Sequence, residues 1–216
     1  MTRIPSRRRL RAAILSAALV TSALVTTALP AAAAITKEVE ANIQHTARGG
    51  DVSRTAAAIT AATTGHPADA AKAWSVALTA VKAQKARNPK VVGHMAAEAS
   101  AAAADIAKTD PAAALDLAKE SLVVAADVSN QAQAYAMTTA KSSSHLARTS
   151  FKANPSRAVE IVLTAIAVAG PLQGVDKAAG SAIAADAKAV ADQFRTSNTA
   201  VSGQIMMALS KARLKV

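Results

Sequence analysis

Four prolines recur at multiples of 22 residues along this chain, and their spacing constrains the fold more than any other feature. They are separated by 22, 22 and 44 residues, at Pro67, Pro89, Pro111 and Pro155. A regular period of about 20 to 50 residues is typical of stacked structural repeats. Proline is favoured at the first position of a helix, where its missing N–H would have had no partner. Each proline therefore predicts a helix start.

The residues at the predicted starts support this interpretation. Those that precede a proline, or continue the same register without one, are His66, Asn88, Asp110, Asn154, Asp176 and Asn198. Asn and Asp side chains accept hydrogen bonds from the free amides of the first helical turn, and histidine is a weaker cap. The remaining slot, at Ala132, has no capping side chain. There the capping-box spacing of Asn130 and Gln133 predicts the helix start.

The superposed units share one small, apolar face. With the capping residue as position 1, positions 5, 8, 9, 12 and 16 are apolar or small in almost every unit, which is the spacing of one helix face. Hydrophobic residues form 51 % of the chain and aromatic residues only 2 %, so alanine dominates this face. Alanine favours helices over strands. Each unit is predicted to be an amphipathic helix of about 17 to 20 residues.

One such helix cannot bury its apolar face alone, so neighbouring helices must cover each other. Short loops favour antiparallel neighbours, which predicts helical hairpins with a period of 44 residues. We expect an all-α fold, a right-handed or bundle-like stack of antiparallel hairpins that is similar to an α-solenoid. Units rich in large aliphatic residues alternate with poorer ones, which predicts that alternate helices differ in burial. The hairpin resembles HEAT and armadillo repeats in length, without their motif residues.

Residues 1–34 have the three parts of a secretory signal peptide. Arginines come first, an uncharged apolar run extends from Ala12 to Leu29, and Ala32-Ala33-Ala34 fits the small-residue rule for cleavage. We expect residues 1–34 to be removed, with Ile35 as the new N-terminus. The stretch Ser6-Arg7-Arg8-Arg9-Leu10 resembles a twin-arginine export signal. Sec and twin-arginine export both remain open, and the alternative to a cleaved signal is a permanent membrane anchor helix.

This signal predicts a secreted or periplasmic protein, with membrane contact only through the signal peptide before cleavage. The mature chain is expected to have two parts. Residues 35–65 are predicted to form two short capping helices, separated by Gly49-Gly50 and with Asp51 capping the second. Residues 66–216 are predicted to form the helical-repeat domain.

The sequence offers no catalytic, metal or cofactor site. Cysteine is absent, which excludes disulfides, thiolate metal sites and cysteine nucleophiles. The four histidines are too far apart in sequence to pair on one helix face, at His45, His66, His94 and His145. His94 and Glu98 share a face, as expected for a solvated polar pair. No nucleophile or phosphate-binding motif is present, so we expect no enzyme activity, no metal and no cofactor.

Charge does not point to nucleic acid either. The formal net charge of +11 falls to +6 without the predicted signal, because its five charged residues are all arginine. Stacking aromatics and an uninterrupted basic stripe are both lacking.

Five acidic residues fall at polar positions of two successive predicted helices. We interpret them as one acidic ridge that could bind a partner, comprising Glu98, Asp105, Asp116, Glu120 and Asp127. Basic residues cluster before the ridge, at Lys82, Lys85, Arg87 and Lys90, and after it, at Lys141, Arg148, Lys152 and Arg157. A solvated face without a partner would show the same pattern.

These features favour an exported, non-enzymatic helical-repeat protein. It would act as a scaffold or a protein- or peptide-binding module of the cell envelope, with another envelope protein or a peptide as partner. The alternative is a lipid-surface protein, because the proline-punctuated helices from Pro67 to Pro155 resemble those of exchangeable apolipoproteins. Helices of that family are highly charged with large apolar faces, whereas charged residues form 18 % of this chain. An ice-binding or surface-layer role ranks third and a hydrolase last.

Overall fold

A computed structural model describes residues 35–64 and 69–214. Nine α-helices and no strand occur within these residues, which confirms the all-α prediction. In chain order the helices are α1 Lys37–Arg48, α2 Val52–Thr63, α3 Ala70–Lys82, α4 Pro89–Ile106, α5 Pro111–Asp127, α6 Gln133–Thr149, α7 Pro155–Leu172, α8 Lys177–Gln193 and α9 Thr199–Ala212. The predicted signal peptide lies outside the described residues, as do His66 and Pro67.

The sequence period sets the helix starts. Helices α4 to α9 begin at equal intervals in the predicted register, at Pro89, Pro111, Gln133, Pro155, Lys177 and Thr199. Four predicted caps accept a hydrogen bond from the amide three residues later, at 2.9 to 3.2 Å. They are Asp110, Asn154, Asp176 and Asn198. The two N-terminal helices are also present, and Asp51 Oδ1 caps α2 at 2.9 Å from the Arg54 amide.

The predicted capping box at Asn130 is wrong. Helix α6 begins at Gln133 with Ala132 in the N-cap position, in the strict register of the repeat, and no side chain caps it. Ala132 is only 4 % exposed because it packs against Gly93 of α4, where a Cβ on the glycine would lie 2.7 Å from the Ala132 Cβ. Close packing between two helices therefore accompanies the start of α6, where a local cap was expected.

The cap of α5 provides a stability test with a matched control. Asp110 Oδ1 accepts from the Ala113 amide at 2.9 Å, whereas Asn88, in the same position before Pro89, makes no side-chain capping bond. We expect Asp110→Ala to lower the free energy of unfolding by about 1 kcal/mol. Asn88→Ala should lower it by less than half as much. Urea denaturation followed by far-UV circular dichroism measures both, and equal losses would contradict this role for Asp110.

Helix contacts follow one rule along the described chain. Every substantial helix–helix contact joins a helix to the next one or to the next but one. The odd-numbered helices α1, α3, α5, α7 and α9 thus contact each other in series, as do the even-numbered helices α2, α4, α6 and α8. The same two series are also joined to each other by contacts between consecutive helices.

The predicted stripe forms the core of this arrangement. In each of α4 to α8, positions 5, 8, 9, 12 and 16 are buried. Position 8 shows the range of side chains accepted there, with Met95, Leu117, Thr139, Ile161 and Ile183 all buried. In α9 the residue at position 9, Met206, is 42 % exposed, because α9 is the last described helix and has no later one to cover it.

The expectation that alternate helices differ in burial is wrong. Each of α4 to α8 buries eight residues. What alternates is the size of some buried side chains, since α5 and α7 bury Leu or Ile at the two positions where α6 buries Thr139 and Ser144. Smaller side chains are accommodated because the helices of the even series approach closely, as at Gly93.

Among the described residues, one helix is long and apolar enough to cross a membrane. This helix is α7, and its apolar side chains pack against α5, α6, α8 and α9. Eight of its 18 residues are buried.

Candidate functional site

A surface groove runs between α6 and α8, two consecutive members of the even series. On one wall, α6 presents Lys141, His145 and Arg148, which share one helix face. On the other wall, α8 presents alanines. The groove has a volume of about 620 Å³ and is lined by Lys141, Ser142, His145, Arg148, Ala182, Ala185, Asp186 and Ala189.

Asp186 forms the floor of this groove and is only 8 % exposed. Its Oδ1 lies 2.6 Å from Arg148 Nε, and its Oδ2 lies 3.3 Å from Ser144 Oγ, whose single hydroxyl proton is shared with the Lys141 carbonyl oxygen at 3.0 Å. Arg148 Nη2 lies 3.2 Å from His145 Nδ1. A buried carboxylate is costly unless it is paired and hydrogen-bonded, and here both of its oxygens have partners. The aspartate therefore holds the arginine in place.

Buried serines also form polar contacts between α6 and α4, the preceding helix of the even series. Ser143 Oγ lies 3.1 Å from Ser100 Oγ of α4, and both residues are buried. Ser143 and Ser144 are neighbours in α6, so one contacts α4 and the other contacts α8. Within the described residues, no buried side-chain polar atom lacks a hydrogen-bond partner.

Ser144, Asp186 and His145 meet here, but in an order that does not activate a serine. In a nucleophilic triad the histidine lies between serine and acid, where it accepts the hydroxyl proton. Here the aspartate lies between them, with His145 Nδ1 3.9 Å from Asp186 Oδ1 and the Ser144 hydroxyl already bonded to the same carboxylate. Ser144 is also fully buried, so a substrate in the groove cannot reach its oxygen.

A second depression continues from the first at Arg148, which lines both. Its volume is about 390 Å³, and Phe151, Lys152 and Gln193 are among its lining residues. Phe151 packs edge to face on Phe194, with ring centroids 5.2 Å apart, and joins the ends of α6 and α8. The lining of the two depressions includes three cationic side chains, Lys141, Arg148 and Lys152, and one carboxylate, Asp186, which contacts Arg148.

The five residues of the predicted acidic ridge lie on α4 and α5, away from this groove. Four of them contact four different basic side chains: Glu98 with His94 at 3.5 Å, Asp105 with Lys108 at 2.7 Å, Asp116 with Arg157 at 2.7 Å, and Asp127 with Lys85 at 3.7 Å. Glu120 is partly buried on α5. Local pairing offsets much of the negative charge that a basic partner would recognise, and the ridge as a binding surface stays a prediction.

One of these pairs belongs to a network that joins α5 to α7. Arg157 contacts both Asp116 and Glu160, each at 2.7 Å, and Lys119 contacts the same Glu160 carboxylate. The hydrogen bond from Lys119, followed by that from Arg157, lowers the pKa of Glu160 below its ordinary value. The network therefore favours the charged form of Glu160 in the folded protein.

The lowered pKa of Glu160 predicts a pH effect on stability. In the folded state Glu160 binds a proton less readily than in the unfolded state. Its contribution to the free energy of unfolding is therefore fully present above the unfolded pKa of about 4.3 and is lost as pH falls through the folded pKa. Because Glu160 is largely exposed, we expect only a few tenths of a kcal/mol. Between about pH 5 and pH 3, the free energy of unfolding measured by urea denaturation should fall less steeply with decreasing pH for Glu160→Gln than for the wild type. Identical slopes would contradict the role of this network.

The sequence places Lys141, Arg148, Lys152 and Arg157 in one basic cluster; the first three line the two depressions, whereas Arg157 belongs to the network between α5 and α7. The sequence pattern does not identify Asp186 as part of this site. The sequence feature that could identify Asp186 is its location at position 11 of its unit, a position that is polar in several other units. In the part of the chain that the structure describes, no group of three or more His, Asp or Glu side chains lies close enough to hold a metal ion. His66 lies outside that part. Comparison with known proteins finds no match among family models, curated proteins or solved structures.

Proposed function

We propose that this chain is an exported, non-enzymatic helical-repeat protein that acts as a scaffold or peptide-binding module of the cell envelope. Its helices would form a stack of antiparallel hairpins, similar to an α-solenoid. The contacts between each helix and the next two support this arrangement, because repeat stacks bury their core through near neighbours. Stacks of this kind bind partners on extended concave surfaces.

The observation that carries the proposal is the groove between α6 and α8. Its volume of about 620 Å³ lies within the range of protein ligand sites, about 300 to 1,000 Å³. Alanines on α8 make a flat apolar wall, and the Asp186 carboxylate immobilises the Arg148 guanidinium on the opposite wall. An apolar wall beside a fixed charged group can hold and orient a peptide.

Lipid-surface binding is the weaker candidate. The apolar stripe that an amphipathic helix would insert into lipid is packed against neighbouring helices in α4 to α8. Large apolar side chains that are exposed in the described residues are few: Val123, Val175, Met206 and Met207. Lipid binding would therefore require the helices to separate. We expect the protein to remain at the bottom of the gradient in flotation with neutral phosphatidylcholine vesicles, and firm flotation would favour this alternative.

Selection of a random peptide library against the purified protein tests the binding function. Ala185 is an exposed residue in the α8 wall, so Ala185→Trp should fill the groove without disturbing the core. Ala57→Trp is the matched control, since Ala57 is an exposed helical alanine in α2. We expect enriched peptides to lose at least about tenfold in affinity for Ala185→Trp, equivalent to about 1.4 kcal/mol.

The control should retain wild-type affinity. Failure to enrich any peptide, or enriched peptides that bind wild type and Ala185→Trp equally well, would overturn the proposal.

A further inference from the structure

We infer that the ligand of the α6–α8 groove is an acidic peptide segment, bound through its carboxylates to Lys141, Arg148 and Lys152. This inference rests on the proposed peptide-binding function and adds the chemical class of the peptide. Three observations support it: the charge of the groove, the fixed position of Arg148, and the apolar wall beside the basic stripe.

The balance of charge in the groove favours an anion. The one carboxylate among the lining residues of both depressions is Asp186, and both of its oxygens are already engaged. Within the described residues, Lys141 and Lys152 form no ion pair, and both are exposed. The available groups are therefore hydrogen-bond donors with positive charge, which are complementary to carboxylates.

Arg148 is held in position by neighbouring side chains and still has free N–H donors for a carboxylate ligand. Its Nε contacts Asp186 and its Nη2 contacts His145, while its side chain remains 42 % exposed. A guanidinium has five N–H donors, so about three remain for a ligand after these two contacts. Because Asp186 already fixes the side chain, binding loses less conformational entropy than it would with a free arginine.

The distances suit a peptide with acidic residues at regular intervals. Lys141 and Arg148 are seven residues apart in α6, which corresponds to about 10 Å along the helix axis. A peptide in the polyproline II conformation covers about the same distance in three residues, and every third side chain returns to the same face. Between the two contacts, the wall formed by Ala182, Ala185 and Ala189 accepts small apolar side chains. A peptide with glutamate at every third position and alanine between matches both features.

Two synthetic peptides test the preference for acidic ligands directly. One is a fluorescein-labelled peptide with four Ala-Ala-Glu repeats, and the other has four Ala-Ala-Gln repeats. We expect the glutamate peptide to bind the wild-type protein at least about tenfold more tightly in fluorescence anisotropy at low salt. Its affinity should fall as salt is raised, because the contacts are between exposed charges.

Variants identify where the acidic peptide binds. The double variant Lys141→Ala/Lys152→Ala should lose about tenfold in affinity for it, as two exposed charge pairs of about 0.7 kcal/mol each would predict. The control is Lys37→Ala/Lys90→Ala, which removes the same charge from exposed positions on α1 and α4. This control should bind nearly as tightly as the wild type. Equal losses in the two double variants would show binding to overall positive charge and overturn the inference.

The peptide selection distinguishes failure of this inference from failure of the proposed function. If selected peptides depend on Ala185 but are not acidic, the acidic preference is wrong and the binding function stands. If the glutamine peptide binds as tightly as the glutamate peptide, the acidic preference is wrong, and the peptide selection alone decides the binding function. If no selected peptide depends on Ala185, both proposals fail. Enrichment of acidic peptides that lose affinity for Ala185→Trp and for Lys141→Ala/Lys152→Ala supports both.

Discussion

Leu122→Ala is expected to lower the free energy of unfolding by about 3 kcal/mol, the largest loss that we predict for a single substitution. Leu122 is fully buried in α5, and α5 contacts α3, α4, α6 and α7. Removing the side chain both withdraws apolar surface from the core and leaves a cavity. Alanine-rich neighbours cannot fill this cavity, because short side chains have no atoms that could move into it.

Val123→Ala is the control for this prediction. Val123 is the next residue in the same helix, but it is 41 % exposed. We expect a change of less than about 0.5 kcal/mol, since alanine has the better helix propensity and little apolar contact is lost. Urea denaturation followed by far-UV circular dichroism measures both variants. Similar losses at the two positions would contradict the arrangement of α5 described above.

The same substitution at two glycines should change stability in opposite directions. A Cβ at Gly93 would lie 2.7 Å from the Cβ of Ala132 and 3.2 Å from the Cβ of Tyr135, so α4 and α6 must move apart to admit it. We expect Gly93→Ala to lower the free energy of unfolding by about 2 kcal/mol, as overpacking outweighs a gain of about 1 kcal/mol in helix propensity.

Gly203 in α9 has nothing within 4 Å of the equivalent position. There Gly203→Ala keeps only the gain in helix propensity and should raise stability by about 0.5 to 1 kcal/mol. Thermal and urea denaturation of the two variants provide the measurement. A Gly93→Ala variant at least as stable as wild type would show that α4 and α6 do not approach as closely as the structure places them.

The helix starts could be predicted from the sequence because capping is local. The bond from the Ala113 amide to Asp110 involves residues three positions apart, so the pattern that predicts it lies in one short stretch. The start of α6 could not be predicted in this way. It is accompanied by the contact of Ala132 with Gly93 in another helix, which no local pattern contains.

The groove was visible from the sequence only in part. Lys141, Arg148 and Lys152 are close in sequence, which predicts one basic cluster. Asp186 lies 42 residues from Ser144, and it contacts this serine only because α6 and α8 lie side by side. A regular period predicts that helices stack, but it does not say which charged residues meet across the stack. The complete groove therefore depends on tertiary packing.

The restriction of helix contacts to near neighbours affects how the protein opens. An end helix is held by at most two others, whereas α5 is held by four. Amide hydrogen exchange should therefore be graded along the chain, fastest in α1 and α9 and slowest near α5, because the ends can fray without breaking the centre. How readily a helix opens then depends on its position in the series. The groove, formed by α6 and α8, lies where that rigidity begins to decline towards the C-terminal end.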